Sequence, residues 1–417
     1  MAGRKAIVVG GSMGGVFSAL YLRRLGWDVR IFERSSVPLV GRGAGIVTHP
    51  ELRQALADLG RAAESDLGVP IEKRIAIDAQ GEVFAEHPRR QISTSWNRLF
   101  EILNEVLPKD IYELGKEFVS FEQDAHSITA RFADGTSATG DLLVGADGFR
   151  SQVRGVLTPE AKPVFAGYVG WRGLADEARF TPEFRRDVFD TFAFHLPPGE
   201  QIIGYPAAGP GNDLRPGHRS WNIVWYRPTT AEQLRRFLTD DTGHEHSVSI
   251  PPPLISRSVI AEMRDIAERT LPPQFREAIR IIDQPFFQPI YDFEAPTMAV
   301  GRACIIGDAA FVVRPHVGAG VVKAAQDAEA IARHVGGGED MIGALRAFDA
   351  ERRPIGAAFV AHVRRLGSYI KREFASEAER SYALANAEPM RVMVETAVLD
   401  FMTGGEPTEE KRAVSGA

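Results

Sequence analysis

The sequence has one cysteine among its 417 residues, Cys304, so no disulfide can close within the chain. That usage fits a reducing cytoplasm. Cys304 lies in the apolar run Ala303-Cys304-Ile305-Ile306 and reads as a buried strand residue. No apolar stretch reaches the roughly 18 residues needed to cross a bilayer. The N-terminus passes from Lys5 directly into an apolar strand, which leaves no room for a signal peptide. An excess of either charge is also missing. The 49 Lys and Arg stand against 55 Asp and Glu, for a formal net charge of −6. That balance argues against a general nucleic-acid or anionic-membrane surface. Repeats and long low-complexity tracts are absent. What remains is an ordinary globular composition, 44% hydrophobic and 25% charged. A chain of this length suits two or three domains with a sizeable core.

Against that plain background the stretch from Lys5 to Glu33 stands out. A short apolar strand (Ala6 to Val9) runs into Gly10-Gly11-Ser12-Met13-Gly14-Gly15. A helix is expected from about Val16 to Leu25, then a second strand from Val29 to Phe32 that ends in Glu33 and Arg34. Glycines let the backbone turn tightly and approach a pyrophosphate, whose charge then meets the N–H groups and positive end of the helix. Glu33 is placed to accept hydrogen bonds from ribose hydroxyls. Ser12 replaces the second glycine of the usual fingerprint. It is small, and its hydroxyl can itself reach a phosphate.

The loop Val40-Gly41-Arg42-Gly43-Ala44-Gly45-Ile46 sets three glycines around one arginine. It reads either as backbone lying against something flat or anionic, or as a flexible surface loop. Thr48 is expected to cap a helix reaching Leu59, with Pro50 in its first turn and Gly60 past its end. Strands follow near Ile71 to Ile77 and Val83 to His87, and Ser95 opens a helix carrying Leu99, Ile102, Leu103 and Val106 on one face. Alternation from Ile111 to Thr139 predicts a small antiparallel meander. A buried strand at 141–144 then ends in Gly145-Ala146-Asp147-Gly148. From about Pro163 to Gln284 aromatics crowd strand-like runs, among them Tyr168, Trp171, Phe192, Phe194, Tyr205, Trp221, Trp225 and Tyr226. Such a sheet suits one wall of a small-molecule pocket, although most of these rings individually serve to fill a core. Late in the chain the strand at 303–306 feeds Gly307-Asp308 and then Arg314-Pro315-His316-Val317-Gly318-Ala319-Gly320, ahead of a helix from about Val321 to His334. A helix N-terminus behind a glycine-bearing loop again favours partly negative ligand atoms. Helices run on to Leu366 and toward Phe401, and the tail from Thr403 reads as frayed.

The order of these motifs, the glycine turn with Glu33, then Gly-Ala-Asp-Gly, then Gly-Asp, resembles the single-component flavin aromatic hydroxylases typified by 4-hydroxybenzoate hydroxylase. The likeness covers roughly residues 4 to 365. Within that group, Gly10-Gly11-Ser12 in the turn, Gly45-Ile46-Val47, the run Gly167-Tyr168-Val169-Gly170-Trp171-Arg172-Gly173 and Arg314-Pro315-His316 look most like the hydroxypyridine hydroxylases. The resemblance implies an α/β protein: a Rossmann-like FAD-binding domain in two parts (1–162 and 285–365), a β-rich substrate domain (163–284), and a C-terminal helical extension and tail (366–417).

It further implies non-covalent FAD. Gly10, Ser12, Gly14 and Gly15 would surround the pyrophosphate, with Glu33 on the adenosine ribose and Arg42 near the flavin, and Met13 and Arg34 are further cofactor-binding candidates. Asp308 would meet the ribityl or pyrophosphate region. Pro315, Gly318, Gly320, Val321 and Val322 would form the loop and helix start that present N–H groups to the flavin. Asp147 belongs to a motif credited with serving both FAD and the nicotinamide cofactor. A structural aspartate capping its own turn is the alternative. Trp96 stands where the group often has an arginine, and Arg98 is displaced from that place.

The reaction implied is hydride transfer from NADH or NADPH to FAD, followed by oxygen transfer from a flavin hydroperoxide to an electron-rich ring carbon. No metal is called for. His316, Tyr205 and His195 are the candidates to hydrogen-bond a ring hydroxyl, each histidine having a structural role as its alternative. The expected partners are an aromatic or heteroaromatic substrate, dioxygen and NAD(P)H, without nucleic acid or membrane, and a C-terminal helical region would suit a homodimer. Two other readings stay open. One is a flavin halogenase or epoxidase, although Trp221-Asn222-Ile223-Val224-Trp225 has the wrong spacing for the halogenase string. The other is a flavin-binding redox sensor without turnover.

Overall fold

The computed structural model describes residues 3–39, 45–61, 67–338 and 340–399. Arg42 and the tail from Thr403 lie outside them.

The apolar strand Lys5–Val9 occupies the middle of a six-stranded sheet. Parallel to it on one side lies Asp28–Phe32, and on the other Leu142–Gly145, which pairs in turn with Ala303–Ile305. Such strands, covered on both faces, read as nearly continuous apolar runs. Ile7, Val8, Leu143, Val144, Cys304 and Ile305 are all buried here. Cys304 is a strand residue, as expected, and burial pushes its thiol well above the ordinary range. The helix Met13–Arg24 crosses between the first two strands and packs on the helix Gly320–Val335. It begins three residues earlier than the sequence suggests, because Ser12 already has the extended backbone of an N-cap.

The meander expected before residue 140 forms a separate three-stranded sheet, Phe118–Gln123, Ile128–Phe132 and Ser137–Gly140. The aromatic-rich region supplies four adjacent strands of a nine-stranded sheet. The other five, Gly45–Val47, Val69–Ile77, Val83–Ser95, Phe286–Glu294 and Phe311–Val312, come from outside 163–284. The join is parallel pairing of Phe192–His195 with Val69–Ile77. Partners so distant in sequence leave no local pattern to read.

Alternation along these strands divides the sheet into two faces. Trp171, Ile202, Ile223, Trp225 and Phe287 pack one face under the helices Arg257–Thr270 and Pro273–Ile281. Tyr168, Phe192, Ile203, Tyr205, Val224 and Tyr226 occupy the other.

Capping chemistry is partly as the sequence implies. Ser95 Oγ accepts from Arg98 N at the start of the helix Trp96–Asn104. Thr48 does not cap the next helix upstream. Its N–H is held by the Ile92 carbonyl at 2.8 Å as part of strand pairing, so the helix Pro50–Asp58 starts one residue later with His49 at its cap.

Beneath the Gly307 turn lies a buried charge network that the sequence did not announce. Asp327 Oδ2 accepts from Lys323 Nζ at 3.0 Å and from Gly307 N at 3.0 Å, while its Oδ1 accepts from Arg352 Nε at 2.9 Å. Lys323 Nζ also donates to the Gly307 carbonyl at 2.9 Å. Burial tends to raise the Asp327 carboxyl, but the two cations win and hold it below its usual range. Both ion-pair partners of Asp327 are buried side chains, and removing the shared carboxylate would strand two cations. Asp327→Ala is therefore expected to cost about 3–5 kcal/mol of stability and to loosen the turn. Urea unfolding of the variant against the wild type checks this.

Candidate active site

Two cavities lie along the carboxyl ends of the parallel strands, and Trp96 forms part of the wall of both. The first, of about 300 Å³, is lined by Gly10, Ser12, Glu33, Arg34, Asp147 and Arg150 among others. The second, of about 710 Å³, lies between the chamber face of the large sheet and the loop 313–321.

The first cavity fits a pyrophosphate cradle on its own geometry. Gly10 has φ +100°, and a Cβ there would lie 2.5 Å from the Ala146 carbonyl oxygen. A Cβ on Gly15 would lie 1.9 Å from the Gly10 carbonyl oxygen, so helix and turn can touch only because residue 15 is glycine. Met13 is buried and does not line this cavity, and Gly14 packs toward Ile306 and Ala324. Ser12 makes no capping bond with its side chain, which leaves the hydroxyl uncommitted to the helix that follows. Glu33 is partly engaged by protein: Oε2 accepts from Gly11 N and Oε1 from Ser35 N, each at 2.8 Å. It shapes the glycine turn while standing in the cavity wall.

Asp147 shows the capping role directly. Oδ1 accepts from Ser151 Oγ at 2.5 Å, and Oδ2 from Gln152 N and Val153 N at 2.7 and 3.1 Å, at the start of the helix Gln152–Leu157. Burial raises its carboxyl, and these donors oppose the rise. Asp308 keeps surface open to the second cavity but is ringed by protein, which raises its carboxyl against the pull of Lys323 and Arg154.

The floor of the second cavity is the run Pro315-His316-Val317-Gly318-Ala319-Gly320-Val321. Gly318 takes the left-handed conformation (φ +65°). The helix Gly320–Val335 begins there with no side-chain cap, so its first N–H groups face a ligand-sized space. Val322, one residue further in, is buried. His49 holds this floor in place: its Nε2 lies 2.7 Å from the Val317 carbonyl oxygen.

His316 and Tyr205 both line the second cavity, whereas His195 does not. His195 sits on the same sheet with Nδ1 2.8 Å from the Ile77 carbonyl oxygen, a structural arrangement. Tyr205 donates to the Gly45 carbonyl at 3.0 Å and stacks on Phe192. His316 Nε2 lies 2.7 Å from the Tyr168 hydroxyl, and its Nδ1 is buried without a hydrogen-bond partner among the described residues. Arg314 lies over the Tyr168 ring and is held by Asp292 through two bonds of 2.9 and 2.8 Å. These groups converge where Gly367 has no side chain. A Cβ there would lie 2.7 Å from both His316 Nε2 and Tyr168 Oη.

Of the residues that form this site, the sequence had singled out Trp96 only as a departure and Tyr168 only as one aromatic of the sheet, and it had passed over His49 and Arg74 as contributors. A histidine at a helix cap gives no distinctive signal. Arg74 borders the cavity from Val69–Ile77, a strand whose membership of the sheet is non-local.

Burial, the Arg314 charge and His362 push the His316 pKa down from 6.5 to about 3. The histidine is thus neutral when folded, while the unfolded chain takes up a proton as pH falls through 6.5. Its contribution to stability is complete above that value and is lost toward pH 3. Between pH 7 and pH 5 this residue alone is expected to remove about 2 kcal/mol of stability. Urea midpoints at the two pH values should draw together in His316→Gln relative to wild type.

Residues 165–292 match a protein family described as FAD binding domain-like. The chain is 32% identical over 366 residues to 2,6-dihydroxypyridine 3-monooxygenase from Paenarthrobacter nicotinovorans, covering 87% of this chain and 91% of that one. It superposes on the structure of 2,6-dihydroxypyridine-3-hydroxylase from Arthrobacter nicotinovorans with a TM-score of 0.83 and 30% identity, over 90% and 95% of the two chains. Klebsiella pneumoniae HpxO, solved with FAD and uric acid, shares the fold at a TM-score of 0.75 and 23% identity, over 96% and 97%. Neither the halogenase nor the redox-sensor alternative gains support from these likenesses. Similarity this extensive, in a chain whose glycine turns fit a dinucleotide, places the protein in the single-component FAD-dependent aromatic hydroxylases, with FAD as cofactor and NAD(P)H as reductant.

Proposed function

We propose that the protein hydroxylates a ring carbon of a hydroxylated pyridine or a closely similar heteroaromatic ring. The observation that carries the reading is the second cavity. It combines an aromatic sheet face, a neutral histidine and the start of an uncapped helix in one space of about 710 Å³. The relative at 32% identity, named for 2,6-dihydroxypyridine, supports the choice of ring.

FAD, once reduced by NAD(P)H, supplies the activated oxygen. The protein's part is binding, orientation and exclusion of water. On this reading Gly10, Ser12, Gly14 and Gly15 receive the pyrophosphate. Glu33 and Arg34 serve the adenosine end, with Asp147 fixing the adjoining turn. Asp308, Pro315, Gly318, Gly320 and Val321 border the flavin. The helix start at Gly320 favours negative charge on whatever ring lies against it.

Phe192, Val224 and Tyr226 give the substrate ring an apolar seat. His316, kept neutral and tied to Tyr168, offers a hydrogen bond to a ring hydroxyl without bringing a second positive charge beside Arg314. Tyr205 fixes the Gly45 backbone at the cavity edge.

With 2,6-dihydroxypyridine as the ring compound, NADH or NADPH oxidation should be stimulated, and the product should gain one oxygen atom that carries the label of ¹⁸O₂. A panel of hydroxypyridines and phenols that neither speeds flavin reduction nor gains oxygen would refute the reading. His316→Phe removes one hydrogen-bonding partner and is expected to raise KM or lower kcat by roughly 10-fold or more, measured by steady-state NAD(P)H oxidation.

A further inference from the structure

Arg172 is the charged residue of the second cavity whose buried Nε meets no hydrogen-bond partner among the described residues. It sits within the strand Val164–Asp176, between Trp171 and Gly173. Trp171 packs the helix-covered face of the sheet, and a Cβ on Gly173 would lie 2.6 Å from Ile282 on that same side. Alternation therefore sends Arg172 to the cavity face. Its neighbours across the sheet are Val224 on one side and Phe286 on the other, both apolar.

The other two arginines of this cavity are engaged. Arg314 is held by Asp292 through two hydrogen bonds. Arg74 donates to Gln91 Oε1, the Met393 carbonyl and Thr396 Oγ1. It thereby fixes the end of the helix Pro389–Glu395 against the sheet. Arg172, by contrast, has a buried Nε with no hydrogen-bond partner among the described residues. The carboxylate among the residues lining the cavity, Asp308, is influenced by Lys323 and Arg154 and not by Arg172. Burial raises the phenols of Tyr205 and Tyr226, and in both the opposing influence is Arg172. Its charge thus acts on the space these two rings enclose. A guanidinium sunk among apolar side chains is costly unless an anion completes its hydrogen bonds, and its planar fork suits an anionic oxygen.

We propose that Arg172 is the anion-binding residue of the substrate chamber. It takes an ionised oxygen carried by the aromatic ring, and so selects anionic rings over neutral rings of the same size. This deepens the reading given under Proposed function and rests on the second cavity being the substrate's. An anionic oxygen has two sources, a ring oxygen that has lost its proton or a carboxylate substituent. Either is met by the same fork.

The test is ligand binding to the FAD-loaded full-length protein, followed by the change in flavin absorbance and without turnover. The probes are 2,6-dihydroxypyridine for the ring oxyanion, benzoate for the carboxylate and benzamide as a neutral ring. For wild type, at least one anionic probe should bind more tightly than benzamide. Arg172→Met should weaken that probe roughly 10- to 100-fold while changing benzamide by less than about twofold and leaving FAD content unaltered. Arg172→Lys should recover part of the loss. If 2,6-dihydroxypyridine is the probe preferred, its affinity should rise with pH as it ionises, and the rise should flatten in Arg172→Met. The proposal is overturned if wild type does not prefer either anion, if Arg172→Met binds them as wild type does, if it weakens benzamide equally, or if it loses FAD. Arginine-dependent anion binding without any hydroxylation of the probes would leave this proposal standing and remove the hydroxypyridine reading instead.

Discussion

The architecture depends on three parallel strands ending at one level. Val9 pairs with Gly145, and Gly145 with Ile305. The backbone bonds continue one step further, with Ala146 N on the Val9 carbonyl and Ile306 N on the Gly145 carbonyl at 2.8 and 3.0 Å. The three turns that carry the motifs therefore start side by side, although they lie far apart in sequence. In a parallel sheet the region beyond the carboxyl ends of the strands is where ligands bind. Here register sets the two neighbouring cavities along one edge of the sheet. Little slack is available: a Cβ on Gly145 would lie 2.7 Å from Val153.

Electrostatics follows from this geometry. Under the third turn, Lys323 and Arg352 share the Asp327 carboxylate, and the group fastens the Gly307 backbone. Above it, the cavity is left with more cation than anion. Arg314 is balanced by Asp292, and Arg74 is surrounded by neutral acceptors that leave its pKa pushed down to about 9 by burial and by Arg89. His316 is kept from adding to that positive charge. A site held this way favours electron-rich and negatively charged rings, which is the chemical demand of oxygen transfer to an aromatic carbon.

The two faces of the large sheet have separate tasks. Trp171, Trp225 and Phe287 anchor one face under helices, so the opposite face can carry Arg172, Tyr205 and Tyr226 without yielding its shape. The aromatic wealth of this region thus divides between a core and a wall, and a residue's parity along its strand decides which it serves. His195 illustrates the limit of composition alone. It lies on the same sheet as Tyr205, yet its ring is held by the Ile77 carbonyl and it does not reach the cavity.

The sequence by itself determined the local elements whose chemistry is encoded within a few residues: the glycine turn and its flanking strands, the Ser95 cap, the Gly307-Asp308 turn and the helix start at Gly320. These are short-range, because backbone conformation at a glycine and hydrogen bonding at a cap depend on immediate neighbours. Tertiary structure alone decided which distant strands join the large sheet, which histidine borders the cavity, and that His49 rather than Thr48 caps its helix. It also decided that Trp96 stands between two cavities and that Arg172 meets no carboxylate among the described residues. Such outcomes depend on pairing and burial across long separations, where one residue's partner is fixed by the whole fold and not by its neighbours in the chain.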